Sequence, residues 1–162
     1  MNIVDASPNP SLCYATLGFS MKTLVIGYGN TLRGDDGVGY RIAEQVEAWE
    51  WPNVKTIACH QLAPELAAEI AECDRVFFVD ATLPGTHQTM IAQPLQVSST
   101  AEFNTHHSDP AGLLSLAATV YQAAPEAYQV LVPTIAMDFS EQLSDRAQTG
   151  MQQALQYLRE QL

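Results

Sequence analysis

Residues 24–39 read LVIGYGNTLRGDDGVG, a short apolar run followed by a glycine-rich loop. The run over Lys22–Tyr28 is almost wholly apolar and ends among glycines, which is typical of a strand buried on both faces of a parallel sheet. Beyond the loop, apolar residues recur every three or four positions and predict an amphipathic helix over 37–49. A strand that leads through a loop into a helix is the unit from which parallel α/β sheets are built.

The same alternation of strand and helix continues to the end of the chain. Further strands are predicted at 54–59, 75–80, 89–97 and 128–132, and further helices are predicted to start at Pro64, after the cap Asp109 and at Ser144. Pro94 places the fourth strand at an edge of the sheet or at a bulge, because proline cannot donate a ladder hydrogen bond. The predicted fold is therefore three-layered α/β, with a twisted, mostly parallel sheet of about five strands and helices on both faces.

Residues 1–20 differ in character from the rest of the chain. They contain prolines, asparagines and serines that interrupt any periodic pattern, whereas a second methionine, Met21, immediately precedes the first predicted strand. We therefore interpret 1–20 as an N-terminal appendage and 21–162 as a single domain. The total length of 162 residues agrees with one domain.

The charge balance and the cysteines narrow the range of partners and compartments. Seven Lys and Arg against 18 Asp and Glu give a formal net charge of −11, which repels phosphate backbones and anionic lipids. Neither nucleic acid nor a membrane is therefore expected as a partner, and no apolar run reaches the ~18–20 residues of a membrane span. The cysteines, Cys13, Cys59 and Cys73, form no CxxC pair, which favours unpaired thiols in a reducing compartment and a cytoplasmic location.

Three groups of polar residues fall where chemistry is expected in such a fold, beyond the carboxyl ends of the strands. They are the acidic pair Asp35 and Asp36 in the glycine-rich loop, Asp80 at the end of the third strand, and the histidine pair His106 and His107 just before a helix. One imidazole together with two carboxylates can hold a divalent cation, and imidazole suits nickel or zinc.

Each of these groups also has an ordinary structural interpretation. Asp35 and Asp36 could form a solvent-facing pair at a helix N-terminus, and Asp80 could be a capping residue. Because the side chains of adjacent residues diverge, His106 and His107 are not expected to bind one ion together, and either could be a surface residue on a loop.

The motifs of several other enzyme classes are missing. The glycine-rich loop lacks the third glycine of the dinucleotide-binding fingerprint, and Asp35 and Asp36 place two negative charges where a pyrophosphate would meet the helix N-terminus. The sequence also contains no GK[ST], no HExxH and no GxSxG. Nucleotide binding, zinc proteolysis of the HExxH type and serine hydrolysis of the GxSxG type are therefore not indicated.

The order and spacing of these features resemble those of the [NiFe]-hydrogenase maturation endopeptidases. The stretch LVIGYGNTLRGDDGVGYRIAE at 24–44 is similar to that family's opening signature, GxGNxLxxDD/E-G-x-G. The later stretches FFVDA at 77–81, HHSDPAGLLSLA at 106–117 and FSEQLS at 139–144 are similar to the family's later landmarks, so the resemblance covers about 22–162. HQLAPELA at 60–67 further resembles the branch that serves bidirectional, NAD-linked hydrogenases.

This resemblance implies an aspartic-type endopeptidase that completes hydrogenase maturation in the cytoplasm. Its substrate and transient partner would be the precursor of the hydrogenase large subunit, from which it removes a C-terminal peptide after nickel has been inserted. By the same resemblance Asp36, Asp80 and His106 would contact the nickel, with His107 as the alternative histidine. The nickel would be carried by the substrate rather than bound permanently by the protease.

The catalytic step is expected to depend on Asp36 and Asp80. Neighbouring carboxylates raise each other's pKa, so one of them could orient or deprotonate an attacking water. A second interpretation stays open because the sequence shows no conventional nucleophile. In it, the protein is a binding or chaperone module that inspects the nickel site and cuts nothing.

Overall fold

The computed structural model describes residues 20–97 and 109–162, and in them five strands form one sheet. The strands are β1 (Thr23–Tyr28), β2 (Val54–Cys59), β3 (Arg75–Ala81), β4 (Ile91–Pro94) and β5 (Glu126–Val132). Their spatial order is β2-β1-β3-β5-β4, with β4 antiparallel to β5 and the other neighbours parallel. The prediction of a mostly parallel sheet of about five strands is confirmed.

Strand β4 lies at one edge of the sheet, as Pro94 predicts. It is shorter than the predicted strand at 89–97 and ends at Pro94 itself. Pro94 has no N–H to donate, but one more backbone hydrogen bond to β5 follows it, from the Leu95 N–H to the Ala127 carbonyl oxygen at 2.8 Å.

Helices connect the strands and close the chain. Those in the described residues are α1 (Val38–Glu47), α2 (Leu66–Ala71), α3 (Pro110–Tyr121) and α4 (Asp145–Gln161). Helix α3 begins at the predicted cap, since the Asp109 carboxylate accepts a hydrogen bond from the Gly112 N–H at 2.6 Å. Helix α4 begins in the same way, with the Ser144 hydroxyl accepting from the Ala147 N–H at 3.2 Å.

The helices cover both faces of the sheet and complete the three predicted layers. Helices α2 and α3 pack on one face, where Leu24 and Phe78 are buried, and α1 and α4 pack on the other, where Val25 and Phe77 are buried. Successive residues of a strand point to opposite faces, so the neighbours Phe77 and Phe78 enter two different cores. This explains why β1 and β3 are apolar at nearly every position.

The connection between strands creates a crevice at one edge of the sheet. Strand β1 lies between β2 and β3, so the chain leaves β1 toward one side of the sheet and later returns on the other side. The loops that follow β1 and β3 therefore diverge, and the space between them lies beyond the carboxyl ends of two neighbouring strands. The glycine-rich loop and Asp80 both belong to this edge.

Two glycines allow α1 to pack directly against the strands beside this crevice. A Cβ at Gly39 would lie 2.3 Å from the Val79 carbonyl oxygen, and a Cβ at Gly27 would lie 2.0 Å from the Gly39 carbonyl oxygen. A larger residue at either position would push α1 away from β1 and β3. The close packing brings the loop that precedes α1 up to the end of β3.

Two further predictions concern membrane-spanning segments and the N-terminal appendage. None of the helices in residues 20–97 and 109–162 combines the length and the hydropathy that a bilayer span requires. Of the predicted appendage 1–20, residues 1–19 lie outside the described part of the chain, so the boundary at Met21 stays a prediction.

Candidate active site

Asp36 lies in a 3₁₀ turn, Gly34–Gly37, that joins the loop after β1 to α1. Its carboxylate oxygen Oδ2 accepts a hydrogen bond from the Asn30 N–H at 3.0 Å, and the residue is half-buried. Gly29 has a φ of +134°, and a Cβ there would lie 1.9 Å from the Asp36 carbonyl oxygen. Only glycine fits at this position, and it lets the loop fold tightly around Asp36.

Asp35 is directed away from solvent, which makes the interpretation of a solvent-facing capping pair wrong for this residue. It is 1% exposed, and neither the 3₁₀ turn nor α1 has a side-chain cap. Its carboxylate accepts hydrogen bonds from the N–H groups of Ile135, Ala136 and Ser144 and from the Ser144 hydroxyl, at 2.7–3.2 Å. Burial alone would raise the pKa of Asp35, but these hydrogen bonds outweigh it and lower the pKa. Asp35 therefore joins the first loop to the segment before α4.

Asp80 ends the apolar part of β3 and is half-buried. Its carboxylate accepts hydrogen bonds from the Ala81 N–H at 2.7 Å and from the Tyr28 hydroxyl. Burial raises the pKa of Asp80 to about 6; the two hydrogen bonds oppose this shift and the negative charge of Asp36 adds to it. Asp80 can therefore exchange a proton near neutral pH, which an ordinary aspartate cannot do.

Tyr28 is a site residue that sequence reasoning missed. Strand register pairs Gly27 with Val79, which sets Tyr28 beside Asp80 on the same face of the sheet. Burial raises the pKa of Tyr28 far above its ordinary value, and the charge of Asp80 and the hydrogen bond to it add to the shift. The phenol therefore stays protonated and donates to Asp80. Its place between Gly27 and Gly29 was visible in the sequence, but its partner depended on which strand lies next to β1.

The structure brings together two of the three predicted metal-contacting residues. The charge of Asp36 contributes to the raised pKa of Asp80, so the two carboxylates lie near each other at this edge of the sheet. The histidines His106 and His107 lie outside the described residues. In residues 20–97 and 109–162, no group of three metal-ligating side chains converges. The described chain resumes at Asp109, whose charge acts on Tyr28, so α3 begins at the same edge of the sheet as the two carboxylates.

The other histidines and cysteines of the described chain contact different partners. The His60 ring stacks on Tyr40 with centroids 5.5 Å apart, and His87 Nδ1 lies 2.9 Å from the Thr86 hydroxyl oxygen. Cys59 and Cys73 are half-buried free thiols, and burial raises the pKa of both. Raised values disfavour the nucleophilic thiolate.

Solved structures with similar folds include several hydrogenase maturation proteases. The hydrogenase maturating endopeptidase HybD from E. coli superimposes with a TM-score of 0.69 at 24% identity, over 87% of this chain and 94% of its own. The [NiFe] hydrogenase maturation protease HybD from Thermococcus kodakarensis has a TM-score of 0.67 at 17% identity, over 87% and 99%. HycI from the same organism has a TM-score of 0.67 at 18% identity, over 92% and 97%.

The chain has the hydrogenase maturation protease fold. No protein-family model and no curated protein matches the sequence. The shared fold agrees with the expectation from the resemblance, and it covers both strands that carry the site, β1 and β3. The candidate site in the described residues consists of Asp36, Asp80 and Tyr28.

Proposed function

We propose that this protein is an endopeptidase that removes a C-terminal peptide from the precursor of a [NiFe]-hydrogenase large subunit. The observation that carries the proposal is the presence of two carboxylates, Asp36 and Asp80, at the carboxyl-end edge of β1 and β3, near enough for the charge of Asp36 to raise the pKa of Asp80. The similar structures are named as proteases and endopeptidases of hydrogenase maturation, which supports the same reaction class here.

The two carboxylates suit different parts of a hydrolytic reaction. Asp80, with a pKa near 6, is ionised at neutral pH and is basic enough to take a proton from a water molecule as that water attacks the scissile carbonyl carbon. The proton it gains can then pass to the departing amine. Asp36 is held by the Asn30 N–H and is suited to orienting the substrate or the water. Water would act as the nucleophile, which agrees with the lack of a conventional nucleophile in the sequence.

The nickel is proposed to arrive as part of the substrate. Asp36 and Asp80 supply oxygen ligands, and His106, or His107 in its place, would add an imidazole from the segment before α3. The ion would be held mainly by the substrate, so cleavage would proceed only on a precursor that already carries nickel. The positive charge of the nickel would stabilise both carboxylates in their ionised form.

The proposed partner and compartment follow from the reaction. A single domain that cuts one bond in a larger folded protein needs only a transient complex with it. The strongly negative net charge and the unpaired thiols support action in the cytoplasm, without nucleic acid or a membrane as partner.

The deciding experiment is a processing assay. A purified large-subunit precursor is incubated with this protein, with and without nickel, and the loss of the C-terminal peptide is followed by mass spectrometry. The proposal predicts cleavage only of the nickel-loaded precursor. Binding of the precursor without cleavage would instead support the alternative of an inspecting module.

Two further measurements test the nickel-contacting residues. His106→Ala is expected to abolish processing and His107→Ala to retain it; the reverse result would assign the role to His107. Equilibrium dialysis of the protein alone is expected to show little nickel binding. Tight, stoichiometric binding in the absence of precursor would contradict a substrate-borne ion.

A further inference from the structure

Large apolar side chains are exposed around the crevice. Leu32 is 44% exposed, Leu83 is 73% exposed, Ile135 is 51% exposed and Phe139 is 88% exposed. We call these four residues the apolar rim. They follow β1, β3 and β5, so all of them lie beyond the carboxyl ends of parallel strands, at the same edge of the sheet as Asp36 and Asp80.

Backbone hydrogen bonds join the loops of the apolar rim into one surface. The Ser140 N–H donates to the Leu32 carbonyl oxygen at 3.0 Å, which places Phe139 beside Leu32. On the other side, the Gly85 N–H donates to the Thr134 carbonyl oxygen at 2.9 Å, which places the loop of Leu83 beside Ile135. The three loops therefore form a continuous border, and Leu83 is only three residues beyond Asp80.

Hydrogen bonds to Asp35 fix the backbone beside the apolar rim. The buried carboxylate of Asp35 accepts hydrogen bonds from Ile135 and Ala136 on one loop and lies between Leu32 and Asp36 on the other. The exposed side chains are thus presented on backbone that the core has already ordered. Such preorganised apolar groups lose little additional freedom on binding a partner.

The charges beside the apolar rim indicate the chemistry of its partner. Arg33, next to Leu32, and Asp138, next to Phe139, are both exposed, and neither makes an ion pair with any described residue. The border of the apolar rim thus carries one cation and one carboxylate, and it is continuous with the proposed catalytic carboxylates. Such a surface fits an apolar patch on a protein that presents a carboxylate opposite Arg33.

We propose that the apolar rim is the surface on which the folded substrate protein docks, with an apolar patch of that protein packed against Phe139 and Leu32 and an acidic group paired with Arg33. This inference rests on the proposed function, because it takes the occupant to be the large-subunit precursor. A docking surface of this kind explains how a site with two described carboxylates can select one folded protein. The apolar rim would recognise the substrate protein, and Asp36 and Asp80 would carry out the chemistry.

The test compares Phe139→Ser with Tyr121→Ser. Tyr121 is 50% exposed at the far end of α3, about 18 Å along the helix axis from Asp109, and serves as the matched control. Binding of the nickel-loaded precursor is measured by biolayer interferometry, and cleavage is measured at saturating precursor. Phe139→Ser is expected to raise Kd about tenfold, as removal of an interface anchor does. It should leave the cleavage rate at saturation and the Tm near those of the parent. Tyr121→Ser is expected to change none of the three quantities.

The outcomes separate the two proposals. A Kd for Phe139→Ser within about twofold of the parent, or a complete lack of precursor binding by the parent, overturns the docking surface. Binding that depends on Phe139 without any cleavage supports the docking surface and contradicts the proposed proteolysis. Sedimentation of the parent as a dimer that Phe139→Ser converts to a monomer would show that a second copy covers the apolar rim, and would overturn the proposal.

Discussion

Asp35 and Asp80 lie at the same edge of the sheet, but their carboxylates have opposite surroundings. Asp35 is almost fully buried and accepts four hydrogen bonds, so its pKa is lowered and it stays ionised. Asp80 is half-buried beside another carboxylate and, among the described residues, accepts hydrogen bonds from Tyr28 and Ala81; burial raises its pKa to about 6. Hydrogen bonds therefore fully compensate the burial of the Asp35 carboxylate, whereas those to Asp80 do not compensate its burial.

This difference assigns a structural role to Asp35 and leaves the proposed catalytic role to Asp80, although the two residues lie at the same edge of the sheet. The compensated carboxylate, Asp35, ties the loop after β1 to the segment before α4 and positions Asp36 and the apolar rim. The charge of Asp80 is not offset in this way, so the ionised carboxylate is destabilised, and binding of a substrate cation or a proton relieves that destabilisation. The predictions below test this division of roles.

The largest effect is expected for loss of the two carboxylates proposed to be catalytic. Asp80→Asn and Asp36→Asn each keep the shape of the side chain but remove its charge and basicity. Processing of the nickel-loaded precursor is expected to fall by about 10²–10⁴-fold, the usual contribution of a general acid–base group. Circular dichroism provides the control, since both variants are expected to fold. Near-normal processing by both would assign the chemistry elsewhere.

Removal of the compensated carboxylate is expected to damage stability. Asp35→Ala would leave the N–H groups of Ile135, Ala136 and Ser144 without their acceptor, and the free energy of unfolding is expected to fall by about 3–5 kcal/mol. Urea denaturation measures this loss. Ser144→Ala is the milder comparison, because it removes one hydrogen bond to Asp35 and the cap of α4, for about 1–2 kcal/mol. Equal losses for the two variants would contradict a central role for Asp35.

The same comparison predicts that Asp80→Asn stabilises the protein at high pH. The folded pKa near 6 lies above the ordinary value of 3.8, so ionised Asp80 destabilises the fold fully above pH 6 and not at all below about pH 4. Asn carries no charge and is expected to add about 1–3 kcal/mol at pH 8, and little at pH 4. Asp35 has the opposite sign, since its lowered pKa stabilises the fold above about pH 4 and the benefit is lost as pH falls further. Denaturation of Asp80→Asn at both pH values checks this, and an equal gain at pH 4 and pH 8 would contradict it.

The smallest effect is expected for Tyr28→Phe. This variant removes the hydrogen bond that lowers the pKa of Asp80, so that pKa is expected to rise. The acidic limb of the processing rate against pH is then expected to move to higher pH, with less than about tenfold loss at the plateau. A profile with an unchanged acidic limb would mean that Tyr28 does not tune Asp80.

Much of the fold was predictable because its signals are local. The apolar runs of β1 and β3, the helical spacing after the first loop and the cap at Asp109 all lie within a few residues of one another. The positions of Asp36 and Asp80 at strand ends were predictable for the same reason, since any parallel sheet brings the carboxyl ends of its strands to one edge. The predicted length of β4 (89–97) and the predicted start of α2 (Pro64) were less accurate than the rest, because the ends of strands and helices depend on individual hydrogen bonds.

The role of Asp35 could not be predicted in this way. The groups that donate hydrogen bonds to Asp35 lie 100 to 109 residues farther along the chain. Nothing near Asp35 in the sequence distinguishes it from its neighbour Asp36. The hydrogen bond from Tyr28 to Asp80 likewise depends on β1 and β3 being adjacent, although β2 comes between them in the chain.

The amino-acid pattern alone therefore determined the class of fold, the edge at which the site lies and two of its carboxylates, because periodicity and strand ends are properties of short segments. Tertiary structure decided which aspartate is held by hydrogen bonds with a lowered pKa and which has a raised pKa, and it assembled the apolar rim from three separate loops. The physical reason is that desolvation and hydrogen bonding, which set the state of each carboxylate, are determined by residues distant in sequence that only packing brings together.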